Sequence, residues 1–206
     1  MIGVPQSKKN YVIAGAIGFA LMLGGAVFYG STSLNLNKIH RTIEADHTDL
    51  EHIAAADFMK LNQADVIVFD VREADEYAVS HIDNAIQVDP NLSEDAFFAR
   101  YGDRLKGKKA IFYCSVGRRS SRFLDRVDEG LAVAGADGGA NLIGGIFKWR
   151  NQSRPLRQGT ASTGDVHPYN AFWGKLIEDK DAIRYAPALS VPDARPPHVE
   201  EPSQND

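Results

Sequence analysis

An apolar run of strand length, Ala110-Ile111-Phe112-Tyr113, ends at the chain's one cysteine, Cys114. The run shows no polar alternation, so a strand made of it is covered on both faces, as in a parallel sheet flanked by helices. Ser115-Val116-Gly117-Arg118-Arg119 follows and leads into Ser120-Ser121-Arg122-Phe123-Leu124-Asp125-Arg126-Val127, which reads as a helix. Cys114 therefore sits where a strand ends and a helix is about to begin. A tight turn there points backbone N–H groups inward, and the helix dipole adds partial positive charge, so both favour a thiolate. Gly117 permits the sharp bend, and Arg119 adds a permanent charge at the end of the loop. A lone cysteine after Ile-Phe-Tyr is ordinarily a small buried hydrophobe. Glycine, arginine and paired serines in this order after it point instead to an anion-binding loop.

The rest of the pattern alternates strands and helices. Ala54 to Leu61 reads as a short helix, Asp65 to Asp70 as a buried strand, Glu73 to Val79 as a helix and Ala85 to Val88 as a strand. Ser93, with Glu94 and Asp95 in the first turn, opens a helix that Gly107 ends. After the cysteine loop and its helix, to about Ala134, Asn141-Leu142-Ile143 is a short strand and Gly144 to Trp149 begins a further helix. This alternation predicts an α/β domain, a doubly wound parallel sheet of about five strands. Ligands of such sheets bind beyond the carboxyl ends of the strands, where Cys114 falls.

Cys114-Ser115-Val116-Gly117-Arg118-Arg119-Ser120-Ser121 resembles the active-site loop of single-domain rhodaneses, which are sulfurtransferases. The resemblance extends to Asp70-Val71-Arg72-Glu73 with Glu76-Tyr77, to Ser80-His81-Ile82 with Ala85-Ile86, and to Asn141-Leu142-Ile143-Gly144-Gly145-Ile146 with Trp149. It implies a persulfide-carrying Cys114, with Arg119 as its catalytic partner and Ser115, Val116, Gly117, Arg118 and Ser120 binding the substrate. Asp70 and Arg72 belong either to the rim of the site or to a structural pair that fixes loops. His81 lies away from the cysteine in that family and is expected to be structural. Ser80 stands where the family usually has glycine, a departure that strains the turn if φ there is positive.

Residues 11–30 carry no charge and, as a helix, span about 30 Å, the thickness of a bilayer's hydrocarbon core. Tyr11 and Tyr29 stand near the two ends, where interfacial aromatics belong. An uncleaved anchor is favoured over a signal peptide, whose apolar core is shorter. Lys8 and Lys9 before the span place the N-terminus in the cytoplasm and the cysteine domain outside the cell membrane. The predicted organisation is an N-terminal tail (1–10), a transmembrane helix (11–30), a juxtamembrane linker (31–52), the rhodanese-like domain (53–160), a C-terminal extension packed on it (161–186) and a disordered tail (187–206). Within the linker, the spacing of Ile39, Ile43 and Leu50 suits a short amphipathic helix or a plain juxtamembrane segment, and His40, His47 and His52 do not pair at helical i, i+4 spacing, so no metal is expected. In the extension, Asn170 is expected to cap a short helix whose Phe172, Trp173, Leu176 and Ile177 pack on the domain; the alternative reading of 165–174 is a lid or a docking surface for a donor protein.

The net charge of −4 carries no footprint for nucleic acid, and a single cysteine excludes an internal disulfide. The favoured reading is a membrane-anchored sulfurtransferase without cofactor. It takes sulfane sulfur from thiosulfate or a related anion and passes it to a thiol or cyanide-like acceptor; a protein donor or acceptor fits equally. Two other readings are a non-catalytic, membrane-tethered binding module and a Cys-Arg phosphatase or arsenate reductase. Enzymes of the last type close the loop with one residue more than the four between Cys114 and Arg119.

Overall fold

Strand β4, Lys109–Tyr113, lies at the centre of a five-stranded, wholly parallel sheet in the computed structural model, which describes residues 35–188. Its companions are β1 (Glu51–Ile53), β2 (Val66–Asp70), β3 (Ile86–Gln87) and β5 (Gly139–Leu142), in the spatial order β1-β5-β4-β2-β3. The connecting helices are α1 (Leu36–Asp46), α2 (Ala55–Phe58), α3 (Ala74–Val79), α4 (Glu94–Leu105), α5 (Arg118–Val133) and α6 (Gly145–Asn151). The α/β fold and the parallel five-stranded sheet expected from the alternation are present.

The strands are apolar throughout because both faces are covered. Ile67, Phe69, Ala110 and Phe112 share one buried cluster with Phe97, Tyr101 and Leu105 of α4 and Phe123, Leu124 and Val127 of α5. Phe69 and Phe112 stack at 5.1 Å, and Phe97 meets Phe69 edge-on at 5.1 Å. Val68 and Ile111, of the alternate parity, point to the opposite face and are equally buried. A second buried group, Phe58 of α2 with Ile146 and Trp149 of α6, lies outside that cluster.

Register places the functional edge. Asp70, last in β2, pairs with Tyr113, last in β4, so both strands end side by side and Cys114 follows directly. Asp70 and Arg72 are fully buried. Arg72 donates to Asp70 through Nε at 2.8 Å and Nη2 at 2.6 Å, and Nη2 also reaches the Ser80 carbonyl at 2.6 Å. Tyr113 Oη donates to Asp70 Oδ2 at 2.7 Å and accepts from the Ile82 N–H at 3.0 Å. Burial, then the Asp70 charge, pushes the Tyr113 phenol well above its ordinary value, which keeps the donating proton in place. Burial alone would lower the Arg72 guanidinium, but Asp70 raises it. Asp70 and Arg72 therefore form a structural pair that joins β2 to the following loop. Ser80 adopts φ −168, extended backbone open to any residue, so the expected strain is absent.

Several segments differ from expectation. The stretch 31–52 is not simply a linker from Asn35 onward. Helix α1 is capped by Asn35, buries Ile43 at 2 % exposure, and leads into β1, which pairs with β5. A three-residue strand shows no periodicity in sequence, which is why the sheet's first strand was hidden. The helix after Cys114 begins at Arg118, with Gly117 as its N-cap, not at the serines. A small antiparallel hairpin, β6 (Leu156–Gln158) and β7 (Ala161–Thr163), turns at Gly159. The predicted tail and span at 1–30, and the tail beyond 188, lie outside the described residues. Among the described residues no helix is long and apolar enough to cross a membrane.

The C-terminal extension docks on α6. Asn151 donates to the Leu176 carbonyl at 2.8 Å and accepts from the Glu178 N–H at 3.0 Å, while Arg150 reaches the Gly164 carbonyl and Asp179. Leu176 and Ile177 are buried as expected, but Phe172 is 54 % exposed and faces outward. Asn170 caps the expected turn, accepting from the Phe172 and Trp173 N–H groups.

Removing one member of a buried ion pair strands the other. Asp70→Ala should therefore cost about 3–5 kcal/mol of stability, through the orphaned Arg72 and the lost Tyr113 acceptor. Urea unfolding of the two proteins checks this; a loss near that of an ordinary surface substitution would refute it.

Candidate active site

The cysteine loop is shaped by what happens to its carbonyls. The Tyr113 carbonyl accepts from the Val71 N–H at 2.7 Å, Cys114 from Ile146 at 2.9 Å and Ser115 from Phe147 at 3.1 Å. The last two donors belong to the first turn of α6, so one helix start takes up two loop acceptors. This contact requires Gly145: a Cβ there would stand 2.2 Å from the Cys114 carbonyl oxygen, and φ is +56. Gly117 turns the chain at φ +97, and its N–H points back to Cys114 Sγ at 3.3 Å. The next residues begin α5, whose dipole places partial positive charge at the same end.

The loop is then bolted to its neighbours by side chains. Asn141, at the end of β5, accepts from Ser120 Oγ at 2.6 Å and donates to the Gly117 carbonyl at 3.1 Å. Glu76, from α3, receives both arms of Arg119, at 2.7 and 2.8 Å, and the Ser115 hydroxyl at 2.9 Å. Arg119 Nη2 also donates to Ser115 Oγ at 3.0 Å. Glu76 closes the N-terminus of its own helix as well, accepting from the Glu73 N–H at 3.2 Å.

Glu76 and Arg119 stabilise one another's charged form. Burial alone would raise the Glu76 carboxyl, but the hydrogen bonds and charge of Arg119, with Arg72 beyond, hold it below the usual range. Burial alone would lower the Arg119 guanidinium, while Glu76 and the Cys114 charge raise it. Arg119 is thus a matched cation fixed beside the loop, not one free to swing onto a ligand. Ser120 is fully buried with its hydroxyl spent on Asn141, so it fixes the loop rather than binding substrate.

Cys114, Ser115, Val116, Arg118 and Arg119 come together around a cavity of about 190 Å³. Gly117, Asp70 and Arg72 are not on its wall. Three wall residues were not expected: Arg122, one turn beyond Arg118 on the same helix face, and Tyr169 and Trp173 from the extension. The Tyr169 ring lies 4.9 Å from the Arg119 guanidinium carbon. His81 stacks on Tyr77 at 4.1 Å and stays off this wall, as expected. Glu76, Asn141 and Gly145 stood in the resembling motifs with no role attached, whereas the aromatics stood in a segment read only as packing on the domain or as a lid. Chemically, the cavity presents a thiol sulfur that accepts from a backbone N–H, with arginines in its lining. That is the equipment for nucleophilic attack on an anion and stabilisation of the charge that leaves.

The rhodanese-like domain family matches residues 54–152. Those residues are a rhodanese-like domain. Similar solved structures include a rhodanese-related protein from Thermoplasma volcanium, 27 % identical, with a TM-score of 0.41 over 52 % of this chain and 98 % of that one. A thiosulfate sulfurtransferase from Pseudomonas aeruginosa is 21 % identical with a TM-score of 0.47, over 61 % of this chain and 23 % of that one. A human single-domain sulfurtransferase is 21 % identical with a TM-score of 0.36, over 48 % and 93 %. The assignment rests on the family match. In this rhodanese-like domain the cysteine loop is the site described above, and the two aromatic wall residues lie beyond the matched region.

Because the Glu76 carboxyl is depressed on folding, the unfolded chain binds that proton more readily. Its stabilisation is complete above the ordinary glutamate value of about 4.3 and fades as the pH falls below it. Glu76→Gln should lower the melting temperature at neutral pH and flatten its fall between about pH 5 and 3. Melting curves across that range check the sign; parallel acid limbs in both proteins would refute it.

Proposed function

We propose that the domain is a sulfurtransferase that carries sulfane sulfur as a persulfide on Cys114. The observation that carries this reading is the Gly117 N–H directed at Cys114 Sγ at 3.3 Å. It lies in a loop with four residues between cysteine and arginine, whose Cys114, Ser115 and Gly117 carbonyls are tied elsewhere. A short loop aims its donor at one sulfur atom, a closer match to a persulfide than to a tetrahedral phosphate.

The Cys114 thiolate attacks the outer sulfur of thiosulfate. A new S–S bond forms on Cys114, the S–S bond of the donor breaks, and its electron pair leaves with sulfite. The loop N–H steadies the anionic persulfide, while Arg118 and Arg122 face the departing anion. A thiolate or cyanide then attacks the outer sulfur of the persulfide and carries it away, which regenerates the Cys114 thiolate. Neither step moves a proton, in keeping with a cavity walled by arginine, aromatic and small residues.

Intact-mass analysis after exposure to thiosulfate tests the reading. The wild-type chain should gain one sulfur atom and lose it to cyanide. Cys114→Ser should gain none while melting close to wild type. Failure of every sulfane donor to load the wild type would leave a binding module as the better account, and hydrolysis of aryl phosphates in its place would favour the phosphatase.

The uncharged span at 11–30 and the lysines before it support a second proposal, that this segment anchors the domain outside the cell membrane. Protease added to spheroplasts should digest the domain while cytoplasmic markers survive; a protected domain would reverse the orientation.

A further inference from the structure

The wall supplied by the C-terminal extension is held in place deliberately. Tyr169 occupies the left-handed region at φ +63, which a bulky side chain adopts only when its surroundings dictate it. They do so here. Its N–H donates to Nδ1 of the buried His167 at 3.1 Å, and the Asn170 N–H returns to the Pro168 carbonyl at 2.8 Å. Asn170 then caps the turn that carries Trp173. The result brings the Tyr169 ring and the Trp173 indole to the wall of the Cys114 cavity, which Arg118 and Arg122 also line.

This arrangement has two unlike walls above one sulfur. Arg118 and Arg122 are exposed cations on one face of α5. Tyr169 keeps 49 % of its surface exposed, and Trp173 is half-buried, so both rings retain apolar area over the cavity. An inorganic anion uses the arginines and the base of the cavity but gains nothing from an aromatic wall. A sulfur anion with an apolar body uses both, because its charged head pairs with arginine while its body covers the rings.

We infer that Tyr169 and Trp173 are specificity-determining residues that select a sulfane-sulfur donor with an apolar organic body over thiosulfate. The inference rests on the sulfurtransferase reading above. With an aryl thiosulfonate as donor, the Cys114 thiolate attacks the terminal sulfur. The S–S bond forms on Cys114, the sulfur–sulfonyl bond breaks, and the electron pair leaves on an aryl sulfinate facing Arg118 and Arg122. Charge and atoms balance without oxidant or proton.

The test compares kcat/KM for benzenethiosulfonate and for thiosulfate, with cyanide as acceptor, using the full chain in detergent. Wild type should favour benzenethiosulfonate. Trp173→Ala should lower the ratio of the two values by about tenfold, the scale of one lost aromatic contact, and Tyr169→Ala should lower it less. Trp173→Phe should restore most of the ratio, since a smaller ring still offers a face. Thiosulfate turnover reports separately on folding of each variant. An equal loss for both donors, or an unchanged ratio, would overturn the inference while leaving the sulfurtransferase intact. Loading by neither donor in the wild type would overturn the sulfurtransferase reading, and this inference with it.

Discussion

Two carboxylate–guanidinium forks, one fully buried and one partly, hold the carboxyl edge of the sheet, and Cys114 is strung between them. Tyr113, just before Cys114, is tied through its hydroxyl to the Asp70–Arg72 fork. Ser115, just after it, is tied through its hydroxyl to the Glu76–Arg119 fork. The cysteine backbone is thus fixed from both sides by bonds that do not involve its sulfur. Buried pairs of this kind contribute little net stability, because desolvation offsets most of their attraction. What they supply is position. Each fork pairs in one geometry, and that geometry sets where the loop must lie.

The second constraint is the disposal of carbonyl groups. A loop around an anion must turn its acceptors away, since a carbonyl dipole aimed at a thiolate repels it. Val71, Ile146 and Phe147 supply N–H groups for three successive carbonyls, and Asn141 takes the Gly117 carbonyl. The Gly117 N–H remains, directed at Sγ. Gly145 matters here although it is far from Cys114 in sequence, because any side chain would push α6 off the Cys114 carbonyl. The loop is therefore defined as much by β2, β5 and α6 as by its own residues.

This division explains what could be read from sequence. The strand, the bend at Gly117 and the helix that follows are contiguous, so local chemistry announces them. The same holds for β2, the Ser93 cap and the end of α4 at Gly107. Contacts between distant segments are silent by comparison. Arg119 was legible as a cation but not as the partner of Glu76, because nothing near either residue names the other. Ser120 looked like an anion ligand from its place at the helix start, yet Asn141 claims its hydroxyl. Strand β1 was hidden by shortness and polarity, its pairing with β5 being set far along the chain, whereas helix α1 was legible in the spacing of its apolar residues. Tyr169 and Trp173 sat in a segment whose local signal was only the Asn170 cap.

The forks also divide the positive charge of the site into two kinds. Arg119 is matched by Glu76 and locked by three hydrogen bonds, so its charge belongs to the framework and is shielded from salt by burial. Arg118 and Arg122 project from the exposed face of α5 on long stems, where their field reaches solvent and is screened by it. In the proposed sulfurtransferase an approaching anion would meet exposed cations as well as this neutralised frame. Encounter and reaction would then be physically separable: the exposed arginines would govern how often an anion arrives, and the Glu76–Arg119 fork how well Sγ is aimed when it does. The aromatic wall inferred to select the donor would act between these two stages, on a body already drawn in by charge but not yet in line with the sulfur.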